Sequence, residues 1–101
     1  ALACGLPCIA TDATGHTDLT RADGYPCDEL LLTGGVNYVH KVGDVEIGTW
    51  HKPCLEEILS QLEYAYRNRD ELKAKRKEIS EWGSQWTWDR SAAKMATLIG
   101  L

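Results

Sequence analysis

The sequence predicts an α/β chain of the doubly wound, Rossmann-like type, with an incomplete sheet at the start and amphipathic helices toward the C-terminus. Two observations carry this expectation. A helix stop at Gly5 and Pro7 feeds directly into the apolar run Cys8-Ile9-Ala10. Beyond Pro53, apolar residues recur at helical spacing on one face at a time. A strand that follows a helix end, with helices that bury a single face, is what a sheet covered by helices requires. One or two core strands cannot make that sheet alone, so its other strands are expected from residues outside these 101.

Ala1 to Cys4 reads as the last turn of a helix, because Gly5 suits the left-handed position after a helix and Pro7 cannot continue one. That helix would have begun upstream. With Met95 the only methionine and Ala1 in first place, the chain reads as an excised or incomplete piece. Pro7 to Thr11 reads as a strand buried on both faces. Gly15 breaks it at a loop, His16 to Leu19 form one helical turn, and Ala22-Asp23-Gly24 make another turn.

Between Tyr25 and Trp50 lie three β-leaning pieces, Leu30 to Leu32, Val36 to Val39 and Val45 to Ile47. Glycine turns at Thr33-Gly34-Gly35 and Gly43-Asp44 separate them and favour a hairpin or an irregular excursion over a helix. Pro53 suits a first helical position, and Leu55, Ile58, Leu59, Leu62 and Tyr66 follow as one apolar stripe. Tyr64 and Tyr66 cannot share a face. Asp70 starts a second helix that buries Leu72, Ile79 and Trp82, turns its lysines to water and ends at Gly83. Thr87 caps a last helix with Asp89 in its first turn and Trp88, Ala92, Met95 and Ile99 on one face.

The composition bounds what such a chain can do. A hydrophobic fraction of 44% with 26% charged residues permits a single core in one domain, and no apolar run is long enough to span a bilayer. A net charge of -4 and a pI near 5.3 argue against a nucleic-acid partner, which needs a basic face. The local basic run Lys73, Lys75, Arg76 and Lys77 is flanked by Glu71, Glu78 and Glu81 and reads as a solvated helix face. Cys4, Cys8, Cys27 and Cys54 form no CxxC pair and follow no secretory signal, so neither zinc nor a disulfide framework is expected. Free thiols in a cytoplasmic protein are the expectation.

The opening residues Ala1 to Thr11, ALACGLPCIAT, resemble the "EAMACGxPVIAT" segment of family 4 glycosyltransferases, enzymes of the two-Rossmann-domain (GT-B) architecture. Thr11 to Asp18 is similar to the loop that follows that strand, where a glycine precedes an acidic residue. Trp50-His51-Lys52-Pro53 resembles the "WAEP" of one branch, and Trp86-Thr87-Trp88-Asp89 with Ala92-Ala93 resembles the closing "fsWe..A" helix. Leu30 to Ile47 does not align to a general family pattern, and Cys8 stands where valine is commoner.

The resemblance implies that residues 1–101 are the C-terminal part of a nucleotide-sugar-binding domain. The enzyme would transfer a sugar from a nucleotide-sugar donor to an acceptor hydroxyl, with retention at the anomeric carbon and without a metal or other cofactor. Its paired-glutamate motif would end just before Ala1, so no catalytic residue falls within the chain and the piece alone is expected to be inactive. Ala1 and Leu2 would border the nucleotide through backbone atoms. Ligands of parallel sheets sit outside the carboxyl ends of the strands, which makes Thr14, Gly15 and Asp18 the candidate donor contacts. The bland alternative for these residues is that Gly15 serves the turn and Asp18 solvates a helical one. His16 is a weaker candidate for the diphosphate, and Trp82, Trp86 and Trp88 are expected to pack rather than stack on sugar. Two other readings stay open: a helical protein-interaction module, and another nucleotide-binding Rossmann-like domain without transferase activity. The donor sugar and the acceptor are not legible.

Overall fold

The computed structural model describes all 101 residues as a mixed α/β chain with two separate two-stranded sheets. It opens on a 3-10 turn, Leu2–Cys4, that ends at Gly5 in the left-handed conformation (φ 80°), with the Gly5 N–H donating to Leu2 O. Strand β1 (Ala10–Thr11) follows, then helix α1 (Thr17–Thr20), a 3-10 turn at Asp28–Leu30 and strand β2 (Leu31–Leu32). β1 and β2 pair in parallel, Ala10 with Leu31 and Thr11 with Leu32, and the Asp12 N–H continues the ladder to Leu32 O at 2.8 Å. The expected strand Pro7 to Thr11 is therefore shortened to two residues and only partly covered. Burial on both faces needs neighbours on both sides of the strand, and β1 has one.

Strands β3 (Val36–Val42) and β4 (Val45–Lys52) form the expected hairpin, longer than its β-leaning cores, around Gly43-Asp44. The pairing shifts between His40 and Lys41: Lys41 faces Glu46 while His40 faces Gly48, which leaves Ile47 as the extra residue of a bulge. Nearly every side chain of the hairpin is exposed, and Tyr38, His40 and Trp50 gather on one face, His40 stacked on Trp50 at 4.3 Å.

Helix α2 (Leu55–Arg67) begins at Leu55, after Cys54 in the cap position, so Pro53 precedes the helix instead of opening it. Its partly buried side is Glu57, Ile58, Gln61 and Ala65, whereas Leu55, Leu59, Leu62 and Tyr66 of the apolar stripe are exposed, as is Tyr64. The second helix is two helices, α3 (Arg69–Ala74) and α4 (Arg76–Gly83), interrupted at Lys75. Its first turn starts at Arg69, one residue before Asp70. Lys75 turns inward to donate to Glu29 at 2.7 Å, a correction to the expectation that the lysines of this segment face water.

The core is small and lies where these pieces meet. Leu72, Ile79 and Trp82 are buried as expected and enclose Tyr25, Cys27 and Leu30, with Tyr25 edge-on to Trp82 at 5.1 Å. Gly83 closes α4 against the opening turn. A β-carbon there would sit 2.6 Å from Ala3 N, so only glycine permits this approach, and Ser80 Oγ donates to Ala3 O at 2.8 Å beside it. Helix α5 (Trp88–Leu98) is capped by Thr87, whose hydroxyl oxygen accepts the Arg90 N–H at 3.2 Å, yet it buries none of its residues.

Candidate functional site

The parallel pairing places the loop after β1 and the loop after β2 at the same carboxyl end of the sheet. The first loop is held in shape at several points. Arg21 reaches back to Asp12, Nε to the carboxylate at 3.0 Å and Nη2 to the backbone oxygen at 3.3 Å. The His16 ring bonds Thr11 O through Nε2, and Thr14 O accepts both the hydroxyl of Thr17 at 2.8 Å and its N–H at 3.2 Å. The left-handed backbone of this loop falls on Thr14 (φ 68°), the single non-glycine residue of the chain with positive φ. Gly15 does not carry it. A non-glycine residue in that region is uncommon and needs surrounding structure to hold it, which the two Thr17 bonds supply.

Of the residues singled out from sequence, Thr14 and Gly15 are exposed on this loop and Asp18 is exposed in the first turn of α1. Ala1 and Leu2 lie at the opening turn. They line an apolar depression of about 320 Å³ together with Cys8, Leu19, Gly83 and Trp86. The two groups do not share one pocket. His16 is engaged by the backbone of its own loop, and Trp82 is core, Trp86 exposed beside it with the rings 5.3 Å apart, and Trp88 open to solvent.

A second polar cluster, beyond β2, has no counterpart among the sequence expectations. The Glu57 carboxylate accepts the N–H groups of Thr33 and Gly34 at 2.8 and 2.9 Å, and the Thr33 hydroxyl at 3.4 Å. Two consecutive amides that would otherwise suit an external anion are thus filled from within the chain. His51 bridges Gly34 O at 3.1 Å through Nε2 and Asn37 Oδ1 at 2.8 Å through Nδ1. Gly34 O only accepts, so Nε2 carries a proton; a neutral ring then needs the Asn37 amide turned to offer its NH₂ to Nδ1. The signal for this cluster was Gly34-Gly35 followed by an acidic residue in the first turn of a helix, but sequence could not pair residues 23 positions apart.

No family model, curated protein or solved structure matches this chain.

The perturbed titrating groups lie away from the loop. Burial raises Tyr25 to about 12 and pushes the Cys27 thiol up, which keeps that thiol protonated and a poor nucleophile. Burial also raises Glu29, but the Lys75 hydrogen bond, a backbone N–H and the Lys75 charge together outweigh it and hold the carboxyl below its usual range. Lys75 is held high, first by the hydrogen bond to Glu29. The Cys54 thiol donates to Glu56 at 2.9 Å and lowers that carboxyl. All four cysteines are free thiols, and no three His, Cys, Asp or Glu side chains converge as metal ligands. No helix is long and apolar enough to cross a membrane.

Proposed function

We propose that the chain is the C-terminal part of the nucleotide-sugar-binding domain of a GT-B glycosyltransferase resembling family 4, within a doubly wound sheet completed by other residues of the same enzyme. One observation carries this reading: a left-handed glycine after a helical turn leads into a strand with a parallel neighbour, and the loop expected to face the donor lies at the carboxyl end of that pair. The exposed stripe of α2 and the bare face of α5 supply further support, since both are surfaces that the remainder of such an enzyme would cover. In this reading Thr14 offers its hydroxyl and strained backbone, and Asp18 a carboxylate, to the donor side of the cleft. Ala1 and Leu2 border the nucleotide by main-chain atoms. The groups that stabilise the departing nucleotide diphosphate belong to residues outside these 101.

The test is transfer from nucleotide-sugar donors, measured as nucleotide release and acceptor glycosylation. The 101-residue chain should give none, and the coding sequence immediately upstream should hold a paired-glutamate motif ending just before Ala1. A polypeptide extended through that motif and the acceptor domain should transfer sugar, and Asp18→Asn should raise its KM for the donor with little change in the unfolding midpoint. Turnover by the short chain, or an upstream sequence without the glutamates, overturns the proposal. The exposed apolar stripe of α2 also favours a second reading, a helical protein-interaction module. The two part in hydrogen exchange: a nucleotide-sugar protects residues 12–18 of the extended enzyme in the first and nothing in the second.

A further inference from the structure

Helices α2 to α4 and the turn Gly5 to Pro7 enclose a concavity of about 530 Å³, inside the range of roughly 300–1,000 Å³ typical of small-molecule sites. It lies on the amino side of β1 and shares no lining residue with the loop at the carboxyl end. Its wall combines Leu6, Pro7 and Leu72 with three cations, Arg69, Lys73 and Arg76. These cations stand at helical spacings of four and three. Lys75, between the two helices, turns instead to Glu29.

None of the three takes part in an ion pair, although the chain holds 15 acidic against 11 basic residues. Glu81, which lines the adjoining depression, is engaged by Lys77 at 3.9 Å. Arg69 is held at its guanidinium, and Arg76 only at its backbone and stem. Arg69 lies over the Tyr66 ring at 4.8 Å and donates to Tyr66 O at 2.9 Å. The backbone of Arg76 packs so close to Gly5 that a β-carbon on Gly5 would fall 2.7 Å from Arg76 O. Two guanidinium groups with a flexible ammonium between them supply donors that match the oxygens of a phosphate, and the apolar wall matches a carbon substituent beside it. We propose that this concavity binds an organic phosphate ester, its phosphate on Arg69, Lys73 and Arg76 and its apolar part against Leu6, Pro7 and Leu72.

The experiment follows amide resonances of the isotope-labelled 101-residue chain at about 10–20 °C, where small domains are most stable. Phenyl phosphate should give saturable shifts confined to residues 5–7 and 69–76 and bind more tightly than inorganic phosphate or phenol, each of which supplies half of the recognition. Lys73→Gln should weaken phenyl phosphate about tenfold, the worth of one charge-assisted hydrogen bond, and Lys73→Arg should restore it to within about threefold. Lys73 is exposed, so both variants keep the fold, verified by an unmoved Trp82 indole resonance. Arg69→Gln should act as Lys73→Gln does. Shifts spread equally over Lys41, Lys52 and Lys94, equal binding of phenyl phosphate and inorganic phosphate, or wild-type affinity in Lys73→Gln would overturn the proposal. Sedimentation with phosphatidylcholine vesicles, with and without phosphatidic acid, identifies the source. Capture by the acidic vesicles that Lys73→Gln abolishes points to a lipid headgroup, and binding of the soluble ester without capture points to a free metabolite ester. Capture that Lys73→Gln leaves intact counts against the site.

Discussion

Ile79 and Trp88 both stand at apolar helix positions, and their surroundings make opposite predictions for them. Ile79 is 0% exposed in the core, so Ile79→Ala should cost about 2–5 kcal/mol through lost transfer energy and the cavity left behind. Trp88 is 91% exposed, and Trp88→Ala should change the stability of this chain by no more than about 0.5 kcal/mol. Urea midpoints of the two variants check this. In an extended enzyme that covers α5, the same Trp88 substitution should lower the midpoint and speed exchange in the helix, and an unchanged midpoint with reduced activity would make Trp88 a sugar contact instead. The Glu29–Lys75 pair sets a pH dependence. The Glu29 carboxyl is held low, so its contribution is full above its unfolded value of about 4.3 and is lost as the pH falls through the depressed folded value. Lys75 is held high, so its contribution is full below about 10.4 and is lost as the pH rises through the raised value. Lys75→Gln should flatten the acid limb of stability against pH, by less than about 1 kcal/mol because the lysine is 40% exposed and screened. On the alkaline side, Tyr25 ionises near 10 when unfolded and at about 12 when folded, so stability should fall across that interval, visible as phenolate absorbance rising together with unfolding.

At the scale of elements, the β3–β4 hairpin has no third strand and no helix on either face, and two-stranded hairpins are marginal in water. At its open end His51 joins it to Gly34 O in the loop after β2. Amides along β3 and β4 should therefore exchange at least about tenfold faster than those of Ile79 to Trp82, which open only with the core. Equal protection would mean that the hairpin folds as one unit with the helices. Its position was legible because Gly43-Asp44 separates two β-branched runs. The bulge at Ile47 was not, since register depends on the partner strand. Helix α2 teaches the same point differently. Its apolar stripe is plain in the sequence, but the Glu57 bonds to Thr33 and Gly34 help turn a neighbouring face inward, and the stripe is left open. At the break, Lys75 likewise bonds a carboxylate 46 residues away, beyond the reach of any local pattern.

Taken as a whole, the molecule buries few of its residues, 10 of 101, and is flat, 49 × 48 × 18 Å. Its radius of gyration is 17.0 Å, against about 13 Å for a compact domain of this length. A core of this size leaves little to offset conformational entropy. The isolated chain should melt broadly and at low temperature, and it should associate with itself as concentration rises because the faces of α2 and α5 are open. Leu59→Ser with Leu62→Ser should reduce that association in sedimentation velocity without lowering the melting midpoint. A sharp melt of a monomer would contradict the expectation.

Local chemistry is what the sequence by itself determined: the glycine stop before β1, the cap at Thr87, the hairpin turn, and Leu72, Ile79 and Trp82 as core residues. Each of these depends on neighbours within a turn or two, where spacing and backbone preference decide the outcome. The five candidate donor contacts were named on the same local grounds, and the fold sets Thr14, Gly15 and Asp18 on the loop and first turn of α1 and Ala1 and Leu2 in an apolar depression that Leu19 also lines. Only the tertiary structure decided which face of α2 turns inward, where the second helix breaks, how Glu57 and His51 join the loop after β2, and that Arg69, Lys73 and Arg76 line one concavity. The reason is physical. Those features rest on hydrogen bonds, ion pairs and packing between residues far apart along the chain, and their energies exist only once the backbone has brought the partners together.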